Sequence, residues 1–165
     1  MTGPADDGPL LSPGYWLHRA ALVWRAALEV RLRPLGLTPT QFVVLASAGW
    51  LEGRSGPPTQ QEVADRAGAD RMMTSKVVQA LEARGLLERR PHESDARARR
   101  LALTAAGRAA AARGAAVARD LDGTLFGDDA ADLRDRLRAL VPVAEDRGTR
   151  RSSVGERTRS VGPPG

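Results

Sequence analysis

The sequence concentrates positive charge in one short segment whose residue types could bind a polyanion. Five arginines fall between residues 89 and 100, against the carboxylates Glu93 and Asp95. Apolar alternation in 86–90 and 99–103, around a polar turn, predicts a β-hairpin. Arginine at a hairpin tip can enter the minor groove of DNA, where the negative potential is strongest when the groove is narrow. The DNA contacts predicted here are Arg89, Arg90, Asp95, Arg97 and Arg99.

Within this hairpin, Asp95 lies two residues before Arg97 and could hold its guanidinium in place. A solvated charged turn would have the same composition, and charge density alone separates the two interpretations only weakly. The elements around the hairpin therefore decide between them.

The segment before the hairpin predicts a helix that Asp70 caps and that ends before Gly85. Met73, Val77 and Leu81, with Ala80 beside them, form its predicted inward face. Glutamine can bond adenine, arginine and lysine bond guanine, hydroxyls reach bases or phosphates, and methionine can contact a thymine methyl. The DNA contacts predicted on and beside the outward face are Arg71, Met72, Thr74, Ser75, Lys76 and Gln79.

A shorter helix precedes this one, and together they predict a helix-turn-helix. Thr59 to Glu62 reads as a capping box, and Gly68 ends the helix a few residues before the next cap. Because a helix N-terminus favours anions, Thr59 and Gln60 are predicted to donate to a DNA phosphate. Capping alone explains Thr59 equally well.

The outer parts of the chain predict further helices. One spans 14–33, where Leu17, Ala21, Trp24 and Leu28 form an apolar stripe, and another begins after Thr38 with a capping box. Beyond the hairpin, 105–121 is alanine-rich and 129–141 carries leucines at helical spacing, with a break between them. Apolar helices at both ends need a partner surface, which favours a dimer.

Composition excludes several other classes of function. The 165 residues include no cysteine and two histidines, so disulfides, thiol sensing and zinc or other metal sites are not expected. Neither a phosphate-binding loop nor a nucleophile motif occurs, so we expect no enzyme activity and no cofactor. No apolar run approaches a membrane span, and residues 1–13 do not resemble a signal peptide, which predicts a cytoplasmic protein without membrane association.

Several of these segments together resemble the MarR (multiple antibiotic resistance regulator) family of winged helix-turn-helix regulators. The resemblance implies a mainly α (α+β) fold with a small antiparallel wing, and a homodimer in which the first and the last two helices interleave. It also implies binding to a palindromic double-stranded DNA site near a promoter, commonly as a repressor that a small molecule releases. The segments that carry the resemblance are Asp95-x-Arg97, 101–107 (LALTAAG), 81–87 (LEARGLL), 37–45 and 61–64.

Composition and the resemblance together predict a division of the chain. Residues 1–13 and the basic tail 146–165 are predicted to be disordered, around a domain at 14–145. Within it, 14–36 and 105–145 would form the dimerisation region and 37–104 the DNA-binding lobe. Residues that could line an effector pocket are Trp16, His18, Trp24, Arg25 and Trp50.

Each pocket residue has another interpretation: Trp24 fits the core or the dimer interface, and His18 and Arg25 fit the surface. The alternative function is a winged-helix protein-interaction module without sequence-specific DNA binding. That alternative predicts a wing and helix face depleted of charge, whereas Arg97, Lys76 and Gln79 are all present.

Overall fold

The computed structural model describes residues 8–91 and 99–141, with six α-helices and one antiparallel pair of strands in that part of the chain. Helix α1 spans Pro13–Leu32 and begins one residue earlier than predicted, because Ser12 caps it and Pro13 occupies its first position. Before it, Gly8–Leu11 forms a 3-10 turn within the segment predicted to be disordered. The prediction for 146–165 lies outside the described residues.

Helices α2 (Pro39–Ser55) and α3 (Gln60–Ala67) both begin with the predicted capping boxes. The hydroxyl of Thr38 accepts from the Gln41 N–H, and the Gln41 side chain accepts from the Thr38 N–H. Thr59 and Glu62 repeat this arrangement at the start of α3. Helix α2 ends at Ser55, before Gly56, and α3 ends at Gly68 as predicted.

Helix α4 (Arg71–Ala83) is followed by strands β1 (Leu87–Pro91) and β2 (Arg99–Leu103), which pair antiparallel as the wing. The other edge of β2 joins the loop before α3, since the Leu101 N–H donates to the Pro58 carbonyl at 2.7 Å. The wing is thereby attached directly to the start of α3.

Helix α5 (Ala105–Phe126) is longer than predicted, and α6 (Ala130–Leu140) completes the described chain. Gly123, within the expected break, lies inside α5, and the helix instead ends at Gly127. Near its start, a Cβ on Gly107 would lie 1.9 Å from the Leu86 carbonyl oxygen. Glycine therefore lets α5 approach the turn before β1.

One hydrophobic core joins the second half of α1 with α2, α3, α4, the wing and α5, and its fully buried members include Leu28, Leu45, Val63 and Leu101. Of the apolar stripe predicted on α1, Leu28 is buried whereas Leu17 is exposed. No residue of α6 is buried. Among the described helices, none is both long enough and apolar enough to span a bilayer.

Candidate nucleic-acid interface

The inward face of α4 differs from the predicted one. Thr74, Val78 and Leu81 are fully buried, whereas Met73, predicted to point inward, is 46% exposed. Val77 is half-buried against the core, and Ala80 is exposed. The prediction that Thr74 contacts DNA is therefore wrong.

The Thr74 hydroxyl explains why a polar residue can occupy this buried position. It donates to the Asp70 carbonyl oxygen at 2.9 Å, one helical turn earlier, and so has a hydrogen-bond partner inside the fold. Asp70 also caps the helix, because its Oδ1 accepts from the Met73 N–H at 2.8 Å.

The remaining predicted residues of α4 share the outward side of the helix. Arg71, Met72, Lys76 and Gln79 are exposed, and Ser75 is half-buried. They occupy the first two and a half turns, which is the part of a recognition helix that reaches base edges in a major groove. The side chains offer hydrogen-bond donors, a glutamine amide and, at Met72, an apolar tip that is 74% exposed.

Arg89 connects three elements of this surface. Its Nε donates to the Glu82 Oε2 of α4 at 3.0 Å, and its Nη2 donates to the Gln60 Oε1 of α3 at 3.4 Å. Two residues predicted to contact DNA, Arg89 and Gln60, thus contact each other. Sequence reasoning missed Glu82, which pairs with Arg89. The available signal was that Glu82 is the one carboxylate within α4, directly before an arginine-rich hairpin.

The other wing arginines differ in their surroundings. Arg90 forms an ion pair with Glu88 on the same strand. Arg99 is exposed, and the described residues provide it with no hydrogen-bond or ion-pair partner. Arg99 is therefore the described wing cation that is most available to a phosphate. The predicted contacts Asp95 and Arg97 lie outside the described residues.

Thr59 serves as the cap of α3. Its hydroxyl accepts from the Glu62 N–H at 3.2 Å and donates to the Glu62 Oε2 at 2.8 Å. Because the one hydroxyl proton is already donated to a carboxylate, Thr59 has no side-chain donor left for a phosphate.

Three of the four predicted pocket residues on α1 bind different parts of the chain. The Trp16 Nε1 donates to the Leu10 carbonyl oxygen, and the Trp24 Nε1 donates to the Asp122 Oδ1 of α5, both at 2.7 Å. Arg25 donates to the Thr40 hydroxyl of α2 at 3.1 Å, and His18 is exposed. The α1–α5 contact of Trp24 agrees with its interpretation as a packing residue.

Trp50 lies apart from these residues, at the surface of α2. The guanidinium carbon of Arg66 is 3.2 Å from its ring centroid and that of Arg54 is 4.7 Å away, so two cations stack on this ring. A cavity of about 460 Å³ in the described part lies between α5 and α6 and includes none of the five predicted residues. Its lining consists of Leu125, Phe126, Asp129, Asp132, Leu133 and Arg136.

Two short helices joined at Gly68, the second exposing its first turns beside an antiparallel arginine-rich hairpin, define a winged helix-turn-helix protein. The family model for the MarR family matches residues 37–98. The HTH-type transcriptional repressor Rv2887 of Mycobacterium tuberculosis is 38% identical over 124 residues, which cover 75% of this chain and 84% of that protein. The chain belongs to the MarR family, as its sequence predicts.

Solved structures agree with this assignment. The crystal structure of CouR from Rhodococcus jostii RHA1 bound to p-coumaroyl-CoA aligns with a TM-score of 0.71 and 26% identity, over 81% of this chain and 94% of that one. The complex of Rv2887 with salicylic acid aligns with a TM-score of 0.62 and 33% identity, over 83% of this chain and 99% of that one. The winged-helix fold is therefore confirmed across most of the chain.

Proposed function

We propose that this protein is a cytoplasmic transcription regulator that binds a palindromic promoter site on double-stranded DNA. The observation that carries the proposal is the accessible start of α4, where Arg71, Lys76 and Gln79 are exposed and Ser75 is half-buried, while Thr74 and Val78 are directed into the core. A helix inserted into a major groove reads bases with this part of its surface. Arg99 of the adjacent wing would neutralise a backbone phosphate.

The proposed active form is a homodimer. Trp16, Val23 and Val30 lie seven residues apart on α1, which places them along one side of the helix, and each is more than half exposed. Such an apolar stripe on an otherwise well-packed domain is typical of an interface. A two-fold axis at α1 and α6 would present two copies of α4 to successive half-sites of a palindrome.

We further propose that the protein is a repressor that a small molecule releases from DNA. The support is by analogy, because solved relatives hold salicylic acid and p-coumaroyl-CoA. Adding salicylic acid to the protein–DNA complex tests this proposal: we expect release of the duplex, and unchanged affinity would reject salicylic acid as an effector.

Fluorescence anisotropy on labelled duplexes from the region upstream of the gene tests DNA binding directly. We expect Gln79→Ala to lose discrimination at one base pair, by about 1–3 kcal/mol. Lys76→Ala is expected to weaken binding, whereas Arg113→Ala, which removes one exposed cation from α5, should leave affinity nearly unchanged. Arg97→Ala is expected to lose most of the binding.

Two results would reject the proposal. If the wild-type protein binds no palindromic promoter fragment, DNA regulation is wrong and the protein-interaction alternative gains support. If it binds all duplexes equally and Gln79→Ala changes nothing, the exposed face of α4 does not read sequence.

A further inference from the structure

One carboxylate oxygen joins the start of α3 to the wing. The Glu62 Oε2 accepts from the Thr59 N–H at 2.6 Å and from the Thr59 hydroxyl at 2.8 Å. The same oxygen accepts from the Arg100 Nη1 of β2 at 3.2 Å. The cap of α3 and the inner strand of the wing therefore share a single acceptor.

The Arg100 side chain is directed into the lobe. It is 28% exposed, and its Nη1 also lies 3.5 Å from the Pro57 carbonyl oxygen. Its Nε is buried and has no hydrogen-bond partner among the described residues. The contacts of Nη1 with Glu62 and Pro57 direct this guanidinium toward the start of α3. The neighbouring Arg99, by contrast, is exposed.

The ion pair lies beside the backbone connection between β2 and the loop before α3. The Leu101 N–H bonds to the Pro58 carbonyl, and Thr59 and Arg100 form an isolated bridge. The base of the wing is held by the core, where Leu101 and Leu103 are buried, and Arg89 attaches β1 to α3 and α4. The Glu62–Arg100 pair adds a side-chain attachment on the β2 side, next to this backbone connection.

We propose that Glu62 and Arg100 are positioning residues, which hold the wing at the angle needed for DNA binding and do not themselves contact a phosphate. The inference rests on the proposed function. A positioning role predicts that DNA affinity changes in the opposite direction from the one that charge alone would give. Removing a negative charge from a DNA-binding surface should by itself strengthen binding, whereas Glu62→Gln is expected to weaken it because the wing loses its attachment.

The chain itself shows that Glu62→Gln spares the cap of α3. Helix α2 begins with the same capping box, and there Gln41 occupies the position that Glu62 has in α3. The Gln41 side chain accepts from the Thr38 N–H at 3.1 Å. Glutamine at position 62 can therefore keep the capping bonds and remove the charge that pairs with Arg100.

A double-mutant cycle on the full-length protein, with anisotropy on an upstream duplex at several salt concentrations, tests the proposal. Glu62→Gln and Arg100→Met are each expected to weaken DNA binding about fivefold. Because both remove the same ion pair, the double variant should bind no more weakly than the more affected of the two single variants. The salt dependence should stay unchanged. In the matched control Arg99→Met, the slope of log affinity against log salt concentration should flatten by about one unit. The loss of binding free energy in Arg99→Met should add to the loss in Glu62→Gln when the two substitutions are combined.

Hydrogen exchange of the Leu101 amide in the free protein supplies a measurement independent of DNA. We expect faster exchange in Glu62→Gln, because the bond to Pro58 loses its neighbouring support. A cooperative thermal unfolding transition for each variant serves as the control that it folds.

The outcomes separate this inference from the proposed function. Tighter or equal binding by Glu62→Gln, additive losses in the cycle, or a flattened slope for Arg100→Met would overturn the positioning role while DNA binding stands. If the wild-type protein binds no DNA, the proposed function fails, and the role of Glu62 and Arg100 in DNA binding fails with it. If Glu62→Gln leaves the exchange rate of the Leu101 amide unchanged, the pair does not hold the wing to the start of α3.

Discussion

The DNA-binding lobe and the outer helices place their apolar side chains differently. From α2 to β2, large apolar residues such as Leu45, Val63 and Leu101 are fully buried within one protomer. On α1, Trp16, Val23 and Val30 remain mostly exposed, and α6 buries no residue. The lobe thus buries its apolar side chains within the protomer, in a core shared with α5 and the second half of α1, whereas the exposed stripe of α1 and helix α6 need another surface to cover them.

The difference suggests that the two regions respond to substitution in different ways. A change in the lobe should act on folding of the protomer, where side chains are closely packed. A change on α1 or α6 should act on association, because the affected surface is open in the isolated protomer. The following substitutions compare closely packed positions with open ones, in order of decreasing expected effect.

The same glycine substitution should have opposite effects at the two ends of α5. A Cβ at Gly107 would lie 1.9 Å from the Leu86 carbonyl oxygen, so Gly107→Ala must displace backbone and should destabilise the protein by about 3 kcal/mol. At Gly123 a Cβ meets nothing within 4 Å, so Gly123→Ala should stabilise the helix by about 0.5–1 kcal/mol. Urea unfolding measures both, and equal effects would contradict the difference in packing.

Val23→Glu should disrupt association and leave the fold of the protomer intact. A charge placed within the stripe of Trp16 and Val30 would be buried without a partner in the dimer, which should cost about 2 kcal/mol or roughly thirtyfold in dimer affinity. Met72→Glu adds the same charge to the exposed face of α4 and serves as the control. Sedimentation measures dimer affinity; an unchanged value for Val23→Glu would place the interface elsewhere.

Adjacent residues of α4 should separate stability from DNA binding. Thr74→Ala removes a fully buried methyl group and a hydroxyl bonded to Asp70, and should lower the free energy of unfolding by about 1–2 kcal/mol. Ser75→Ala should lower DNA affinity with little loss of stability. Unfolding and anisotropy are measured on both variants, and the reverse pattern would restore Thr74 to the outward face.

The interchange of Met73 and Thr74 shows where sequence reasoning reaches its limit. Caps at Thr38, Thr59 and Asp70 are local, so the starts of α2, α3 and α4 follow from the sequence. Which side of α4 faces inward depends on the core, and residues 73 and 74 differ by one step of about 100°. Methionine is the more apolar of the two side chains, so sequence pattern alone assigns it to the core. Threonine can take the buried position because its hydroxyl donates to a carbonyl oxygen one turn earlier.

Contacts between distant residues were also beyond sequence reasoning. The arginine content of the wing predicts a cationic surface, yet Arg89 and Arg100 form ion pairs with Glu82 and Glu62 of the helices. Such pairs depend on how the hairpin packs against α3 and α4, and no spacing in the sequence encodes that arrangement. Local pattern therefore located the proposed DNA-binding region, while packing determined which of its arginines remain available.

The smallest expected effect concerns the polar side of α6. The adjacent Arg134 guanidinium lowers the pKa of the Asp135 carboxyl, and both side chains are exposed. Because the folded-state pKa is lowered, any stability from this pair is present above the unfolded pKa and is lost as the pH falls through the folded value. Solvent screening makes that contribution small, so Asp135→Asn should leave the thermal midpoint at neutral pH unchanged.

The pKa of Asp135 can instead report whether a partner covers this side of α6. NMR titration of the wild-type dimer and of the Val23→Glu monomer should give the same lowered value if the polar side stays in solvent, and Arg134→Gln should raise it in both. A higher pKa in the dimer alone would mean that association desolvates this carboxylate. That result would extend the interface from the apolar stripe of α1 onto the charged side of α6.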